Sequence, residues 1–132
     1  MREEAYDWLE EARADLRRAR WALDGGDYAI SCFFSHQAIE KAFKAIMIGL
    51  LRKRPPHTHD LTFLYGLVKP VLRLPEGIEV LLPEVSQYYA TTRYPNAGLR
   101  RPSISFNRLQ AERALEVAEH VLKRVREALA TG

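Results

Sequence analysis

The sequence predicts an all-α protein, and three observations lead to that class. Apolar residues recur at helical spacing in long stretches at the start, the centre and the end of the 132-residue chain. No segment alternates apolar and polar residues in the way that a half-buried strand does. Glycine or proline pairs separate the periodic stretches, where helices are expected to end. We therefore expect an antiparallel four-helix up-and-down bundle with a short extra helix.

The first helix is expected over about 2–23, because a single apolar stripe runs along it. Gly25-Gly26 ends this helix, and Asp27 caps the central helix, which is expected over 27–54. So short a connection makes the two helices antiparallel neighbours. The apolar face of the central helix is unusually wide. It therefore needs cover on more than one side, which favours a central place in the bundle and self-association.

The second half of the chain is predicted to hold shorter helices and one long helix. Pro55-Pro56 stops the central helix, and Thr58 or Asp60 caps a third helix over about 61–68. A loop with one short turn follows, and then a fourth helix over about 83–91. The final helix begins near Asn107, which forms the pattern of a capping box with Gln110. The loop before it, 92–103, contains the turn formers Pro95, Asn96, Gly98 and Pro102.

Composition limits the kinds of protein that this chain can be. One domain, 1–132, is expected, since 47% of its residues are hydrophobic and 28% are charged. The single Cys32 excludes a disulfide framework and favours a reduced, cytoplasmic setting. No run reaches the ~18 apolar residues that a membrane span needs. The N-terminus also lacks the apolar core of a secretion signal.

Positive charge gathers in one part of the chain, although the net charge is only +3. The segment between Glu84 and Glu112 has four arginines and no acidic residue. Guanidinium groups bind phosphate as a fork, and aromatic rings stack on bases. We therefore expect a site for nucleotide or RNA phosphates in this segment. The alternative is a solvated basic loop whose tyrosines pack into the core. The candidate residues are Arg93, Tyr94, Arg100 and Arg101.

Polar residues interrupt the apolar pattern of the central helix. Gln37, Glu40, Lys41 and Lys44 are three or four residues apart and share one face. The simplest interpretation is a solvated stripe with one Glu40–Lys44 ion pair. The functional alternative adds Lys41 and Lys44 to the phosphate site.

The histidines and the cysteine predict no metal, no cofactor and no nucleophilic catalysis. His57 and His59 lie close together, but no further His or Cys is near them in the sequence. His59 precedes a helix start, which favours capping or packing, and it is also a candidate phosphate-binding residue. His36 is expected to be a hydrogen-bonded core histidine. Apolar burial is expected to raise the pKa of Cys32.

The chain resembles the HEPN domain family over nearly its whole length. The resemblance rests on GDYAISCFFSHQAIEKAFKAIMI at 26–48, THDL at 58–61 and YYATTRYPNA at 88–97. It implies a four-helix bundle with a short extra helix that is usually dimeric; a higher assembly stays open. It also implies association with a minimal nucleotidyltransferase protein, in many cases as a toxin–antitoxin pair.

Ribonuclease members of this family use an Arg-x4–6-His motif near the last helix, and two copies cleave RNA without metal across a dimer. Other members are thought to bind nucleotides without cleaving. Here no His follows Arg93 at that spacing, whereas Arg113 and His120 fit it and are the fallback catalytic pair. Matches at 52–59 lie at the end of the central helix, which is the wrong place. A binding module is the first expectation, and the alternatives are a metal-independent ribonuclease toxin and a partner-docking module.

Overall fold

Three long helices and five short ones make up the structure, a computed structural model in which residues 2–97 and 100–132 are described. No strand occurs within those ranges, so the all-α class is confirmed. None of the described helices is both long and apolar enough to cross a membrane. In chain order the helices are α1 (Arg2–Asp24), α2 (Tyr28–Ile46), α3 (Leu61–Val68), α4 (Glu76–Glu79), α5 (Leu82–Ser86), α6 (Tyr88–Thr91), α7 (Pro102–Ser105) and α8 (Arg108–Thr131).

Three helices begin at the predicted caps. The Asp27 carboxylate accepts a hydrogen bond from the third residue of α2 and so caps this helix. Asp60, rather than Thr58, caps α3 in the same way. At the start of α8, Asn107 and Gln110 form the complete capping box, with each side chain bonded to the other residue's backbone N–H.

The short elements differ from the prediction. The fourth helix expected over 83–91 is two helices, α5 and α6, because the N–H of Gln87 bonds to the carbonyl of Glu84 three residues back. That contact tightens the last turn of α5. The segments expected to be loops contain the one-turn helices α4 and α7, and Pro102 lies in the first turn of α7. Asn96 adopts the left-handed φ of 63° that a turn former accommodates, whereas Gly98 lies outside the described residues.

The central helix also ends differently from the prediction. It is α-helical only to Ile46 and continues as a π-helical turn over Met47–Leu51. Arg52 then adopts a left-handed φ of 54°, and its N–H bonds to the carbonyl of Met47. The chain therefore leaves the helix before the predicted end at Arg54. Residues 52–60 carry it back alongside α2 to the start of α3, because the backbone of His59 lies beside His36.

Helix α2 is the centre of the molecule, as its wide apolar face predicted. Helix α1 packs antiparallel to α8, since Arg20 pairs with Glu119 at one end and the Tyr6 hydroxyl bonds to the Leu129 carbonyl at the other. Both of these helices contact α2, and α3, α5 and α6 cover its remaining face. Ile39 and Phe43 are fully buried within a single chain. The wide apolar face is thus no argument for self-association.

All three long helices come close together around Gly49, in the π-helical turn. A Cβ atom at this position would lie 2.7 Å from Leu129 Cδ2 and 3.0 Å from Ala5 Cβ. The first contact ends in a side chain that can rotate, but the second is fixed to the backbone of α1. Gly49 therefore sets how closely α1 approaches the end of α2.

We expect Gly49→Ala to lower the free energy of unfolding by about 1–3 kcal/mol, because the added methyl group overpacks this junction. Urea denaturation measures the change. Gly66→Ala is the matched control, since nothing lies within 4 Å of the added Cβ in α3. This control is expected to gain about 0.5–1 kcal/mol from the better helix propensity of alanine. Equal effects of the two substitutions would show that the junction is not tightly packed.

Candidate functional site

A cluster of aromatic rings surrounds one arginine at the place where α2, α6 and His59 meet. We call it the Tyr89 platform, and it consists of Phe33, His59, Tyr89, Arg93 and Tyr94. The His59 and Tyr89 rings stack with centroids 3.6 Å apart and planes 10° apart. The guanidinium carbon of Arg93 lies 4.9 Å from the Tyr89 centroid, 5.3 Å from Phe33 and 5.1 Å from Tyr94. Arg93 nevertheless stays exposed to solvent.

The short helix α6 explains why these groups meet. Its two tyrosines point in different directions: Tyr88 is buried in the core, whereas Tyr89 is only half-buried. Arg93 follows Tyr89 by four residues, which places the two side chains on one side of a helical turn. The backbone N–H groups of Arg93 and Tyr94 both bond to the carbonyl of Ala90, so the turn continues past Thr91.

A buried carboxylate holds the platform from below. Glu40 is 5% exposed, and its Oε1 lies 2.8 Å from His59 Nδ1 while its Oε2 lies 2.8 Å from Lys44 Nζ. The carboxylate oxygen is the acceptor in this contact, so Nδ1 of His59 is the donor. The other ring nitrogen, Nε2, is then the atom that can accept a proton. The His59 side chain is 47% exposed.

His36 ties the platform to the core and is the hydrogen-bonded core histidine that its position predicted. The ring is fully buried, and burial lowers its pKa, so the imidazole is neutral. Nε2 lies 2.8 Å from the His59 carbonyl and must donate to it, because a carbonyl oxygen cannot donate. Nδ1 then carries only a lone pair, whereas the atom 3.1 Å from it is the Gln37 oxygen Oε1. Two acceptors cannot bond, so the Gln37 amide is assigned in the flipped orientation, which turns its NH₂ toward Nδ1.

The Glu40–Lys44 ion pair expected on the central helix is present, but the expected solvation of this stripe is wrong. Lys44 is 8% exposed and bonds to Glu40, and its ammonium also lies 5.8 Å from the ring centroid of Trp8. Lys41 is partly buried and pairs at 2.8 Å with Asp15, which is itself 2% exposed. These polar groups are buried because α1 packs over them. The two lysines are therefore paired with buried carboxylates.

A second polar cluster joins α5, α6 and α8, and it contains one member of the fallback catalytic pair. Arg113 donates to Glu84 at 2.9 Å, and the Tyr88 hydroxyl donates to the same carboxylate at 2.6 Å. Burial acts to raise the pKa of Glu84, but the hydrogen bonds from Tyr88 and Arg113 outweigh it and lower the pKa. His120 is exposed and lies seven residues further along α8, about 10.5 Å along the helix axis. The structure does not bring the two side chains together.

The remaining residues that the sequence singled out are two exposed arginines and one buried cysteine. Arg100 and Arg101 are exposed, and the described residues offer neither side chain an ion pair. Cys32 is fully buried, and burial, aided by the charge of Glu84, raises its pKa to about 12. Within residues 2–97 and 100–132, no three His, Cys, Asp or Glu side chains gather closely enough to hold a metal ion.

Sequence reasoning identified Arg93, Tyr94 and His59 but missed how they are joined. Tyr89 is the shared surface for Arg93 and His59, and Glu40 is the group that orients His59. The four-residue spacing of Tyr89 and Arg93 could have indicated the first contact. No local pattern could have indicated the second, since it joins residues 19 apart in the chain.

We expect the stability of the protein to fall as the pH drops below about 6.5, because unfolding lets His36 take up a proton that the core excludes. The contribution of His36 to the free energy of unfolding is fully present at pH values above its unfolded pKa. It is lost as the pH falls from there toward the lower pKa of the folded state. The slope from this one group reaches about 1.4 kcal/mol per pH unit. Urea denaturation between pH 5 and 7.5 should show a shallower dependence in His36→Gln. The exposed control His120→Gln is expected to keep the wild-type slope, and an unchanged slope in His36→Gln would contradict the assignment.

Comparisons with known proteins agree with this architecture. The HEPN domain pattern matches residues 5–128. The crystal structure of TT1696 from Thermus thermophilus is 36% identical, with a TM-score of 0.82 over 94% of this chain and 97% of that one. That of ST0689, an archaeal HEPN homologue, is 25% identical, with a TM-score of 0.76 over 95% and 97%. The HEPN domain protein tm0613 from Thermotoga maritima is 24% identical, with a TM-score of 0.71 over 94% of this chain and 98% of that one, and it supports the fold alone. The comparison with curated proteins gave no match. Pattern and structures together make this chain a member of the HEPN domain family.

Proposed function

We propose that this chain binds nucleotide or RNA phosphates at the Tyr89 platform. The observation that carries the proposal is an exposed guanidinium held against three aromatic rings. Rings of this kind offer a base a face to stack on, and an arginine beside them can bind the phosphate as a fork. Because the rings hold Arg93 in position, less side-chain entropy is lost when a ligand binds.

The other candidate residues take different parts in the proposed site. The His59 side chain is 47% exposed and donates through Nδ1 to Glu40, so its ring orientation is fixed. Lys44 and Lys41 support the site through their ion pairs with Glu40 and Asp15 instead of binding phosphate directly. Arg100 and Arg101 extend the positive charge along the chain beyond Tyr94, where no acidic side chain opposes them.

We expect Arg93→Gln to weaken binding of a fluorescein-labelled adenine nucleotide and of an eight-nucleotide RNA about 10- to 100-fold. A hydrogen bond to a charged group contributes about 1.5–3 kcal/mol, which corresponds to that range. Fluorescence anisotropy measures the affinity. Arg73→Gln is the matched control, because Arg73 is an exposed arginine outside the platform and the substitution changes the net charge equally.

A second pair of variants tests the aromatic surface. Tyr89→Phe keeps the ring and is expected to keep the affinity, whereas Tyr89→Leu removes the face on which His59 and Arg93 rest. If Arg93→Gln and Tyr89→Leu both bind like the wild type, the platform is not the binding site. If no ligand binds the wild type at all, the proposed function fails as a whole.

Metal-independent RNA cleavage is a second candidate function, and the His59–Glu40 contact favours it. A general base needs an accepting nitrogen at the surface and a partner that fixes its orientation, as Glu40 does for His59. Nε2 would take the proton of a ribose 2′-hydroxyl and the 2′-oxygen would attack the phosphorus. The 5′-oxygen would then leave and take a proton from water to become the 5′-hydroxyl. The Arg93 guanidinium would balance the charge on the phosphate. The fallback pair Arg113 and His120 is the competing assignment.

We expect cleavage, where it occurs, to yield a 2′,3′-cyclic phosphate and to be lost in His59→Ala. His120→Ala is the discriminating variant, since it removes an exposed histidine on α8 without touching the platform. Mass spectrometry of the RNA fragments identifies the product. Loss of cleavage in His120→Ala but not in His59→Ala would assign the reaction to the fallback pair. An intact RNA with the wild-type protein would leave binding as the function.

We also propose a homodimer and a minimal nucleotidyltransferase partner, as in a toxin–antitoxin pair. The support is family membership, together with apolar side chains that the described residues leave at the surface. Phe63 on α3 is 53% exposed, Leu67 is 38% exposed and Val80 is 64% exposed. Exposed apolar groups of this kind mark association surfaces when they are contiguous. Light scattering measures the mass of the chain alone and in a mixture with the nucleotidyltransferase. A monomer in the first measurement would refute the homodimer, and separate components in the second would refute the complex.

A further inference from the structure

A second basic surface lies in the groove between α1 and α8. The groove has a volume of about 370 Å³ and is lined by no residue of the Tyr89 platform. Arg13, Arg17 and Arg20 follow one another along α1 at spacings of four and three residues. Lys123 and Arg126 face them from the antiparallel α8. Glu119 is the one acidic residue of the lining.

The positive charge in this groove is poorly balanced. Glu119 is taken by Arg20 at 2.8 Å, and Arg13 reaches Glu10 only at 3.8 Å, where both side chains are well exposed. The remaining cations, Arg17, Lys123 and Arg126, form no ion pair with any described residue. Like charges three or four residues apart destabilise a helix. A bound anion would relieve that repulsion on both helices at once.

The floor of the groove decides between possible anions. Leu9, Leu16 and Leu122 form it, and they are only 2%, 7% and 5% exposed. An acidic amphipathic helix or a lipid surface would gain little here, because almost no apolar area remains to be covered. No aromatic side chain lines the groove, so bases have no surface on which to stack. What remains is contact with a phosphate backbone through charge alone.

We propose that the groove between α1 and α8 holds the phosphate backbone of an RNA strand without reading its sequence. The inference rests on the proposed function for its ligand but uses a different surface of the molecule. Arg13 and Arg20 are about 10.5 Å apart along the helix axis. That distance is about three times the ~3.4 Å axial rise per nucleotide of a DNA duplex strand, so the row of arginines is long enough to reach more than one phosphate.

The test is the salt dependence of binding to a fluorescein-labelled 20-nucleotide RNA between 50 and 200 mM salt. Arg17→Gln/Lys123→Gln removes one unpaired cation from each wall of the groove and keeps the aliphatic stems. We expect affinity at 50 mM salt to fall about tenfold. We also expect the slope of log affinity against log salt to fall by about 1.4, because two phosphate contacts are lost. The control Lys53→Gln/Arg73→Gln changes the net charge equally at exposed positions outside the groove and is expected to stay near wild type.

The inference would be overturned if the groove variant kept the wild-type salt slope, or if the control variant lost as much RNA affinity as the groove variant. It would also be overturned if the groove variant bound RNA normally and lost affinity only for anionic phosphatidylserine vesicles or for polyglutamate. Circular dichroism confirms that each variant is folded. Binding of the labelled adenine nucleotide separates the two proposals. It should be unchanged in the groove variant and weakened in Arg93→Gln. If the groove variant loses RNA affinity but Arg93→Gln keeps its nucleotide affinity, the platform proposal is refuted and the groove proposal stands. The opposite result refutes the groove proposal and leaves the platform proposal standing.

Discussion

The buried Glu40 carboxylate is the constraint on which the site depends. A buried carboxylate is stable only when its oxygens are paired, and here Lys44 and His59 supply one contact each. One partner lies one turn away on the same helix, and the other comes from the returning segment before α3. Satisfying this charge therefore fixes where that segment passes and which nitrogen of His59 faces the solvent. The stacking of Tyr89 and the position of Arg93 follow from it.

The same region shows how a binding surface and a core can share residues. His36 is an ordinary core group by its burial, yet its N–H holds the backbone of a surface residue, His59. Tyr89 covers part of α2 and also carries Arg93. The platform is thus built on the rigid central helix, although its outer residues follow a short helix and a turn. A ligand that binds there would meet a surface that is already arranged.

Much of the fold could be predicted from the sequence, because its helices carry local signals. The glycine pair before Asp27, the Asp60 cap and the Asn107 capping box each act over a few residues, and all of them are present. The break at Gln87 was not predictable, since it reflects a change of hydrogen bonding within an otherwise helical stretch. The burial of Lys44 was missed for another reason. Periodicity places a lysine on a face, but it does not tell which neighbouring helix will cover that face.

Arg113 belongs to the spacing that suggested a catalytic pair, but its guanidinium is engaged with Glu84, which also holds the hydroxyl of Tyr88. Tyr88 is the residue before Tyr89, so the anchored side chain determines the orientation of the one exposed beside it. The last helix thus acts as a brace for the platform from the far side of α6. Arg113 therefore has a structural part in this cluster that does not depend on catalysis.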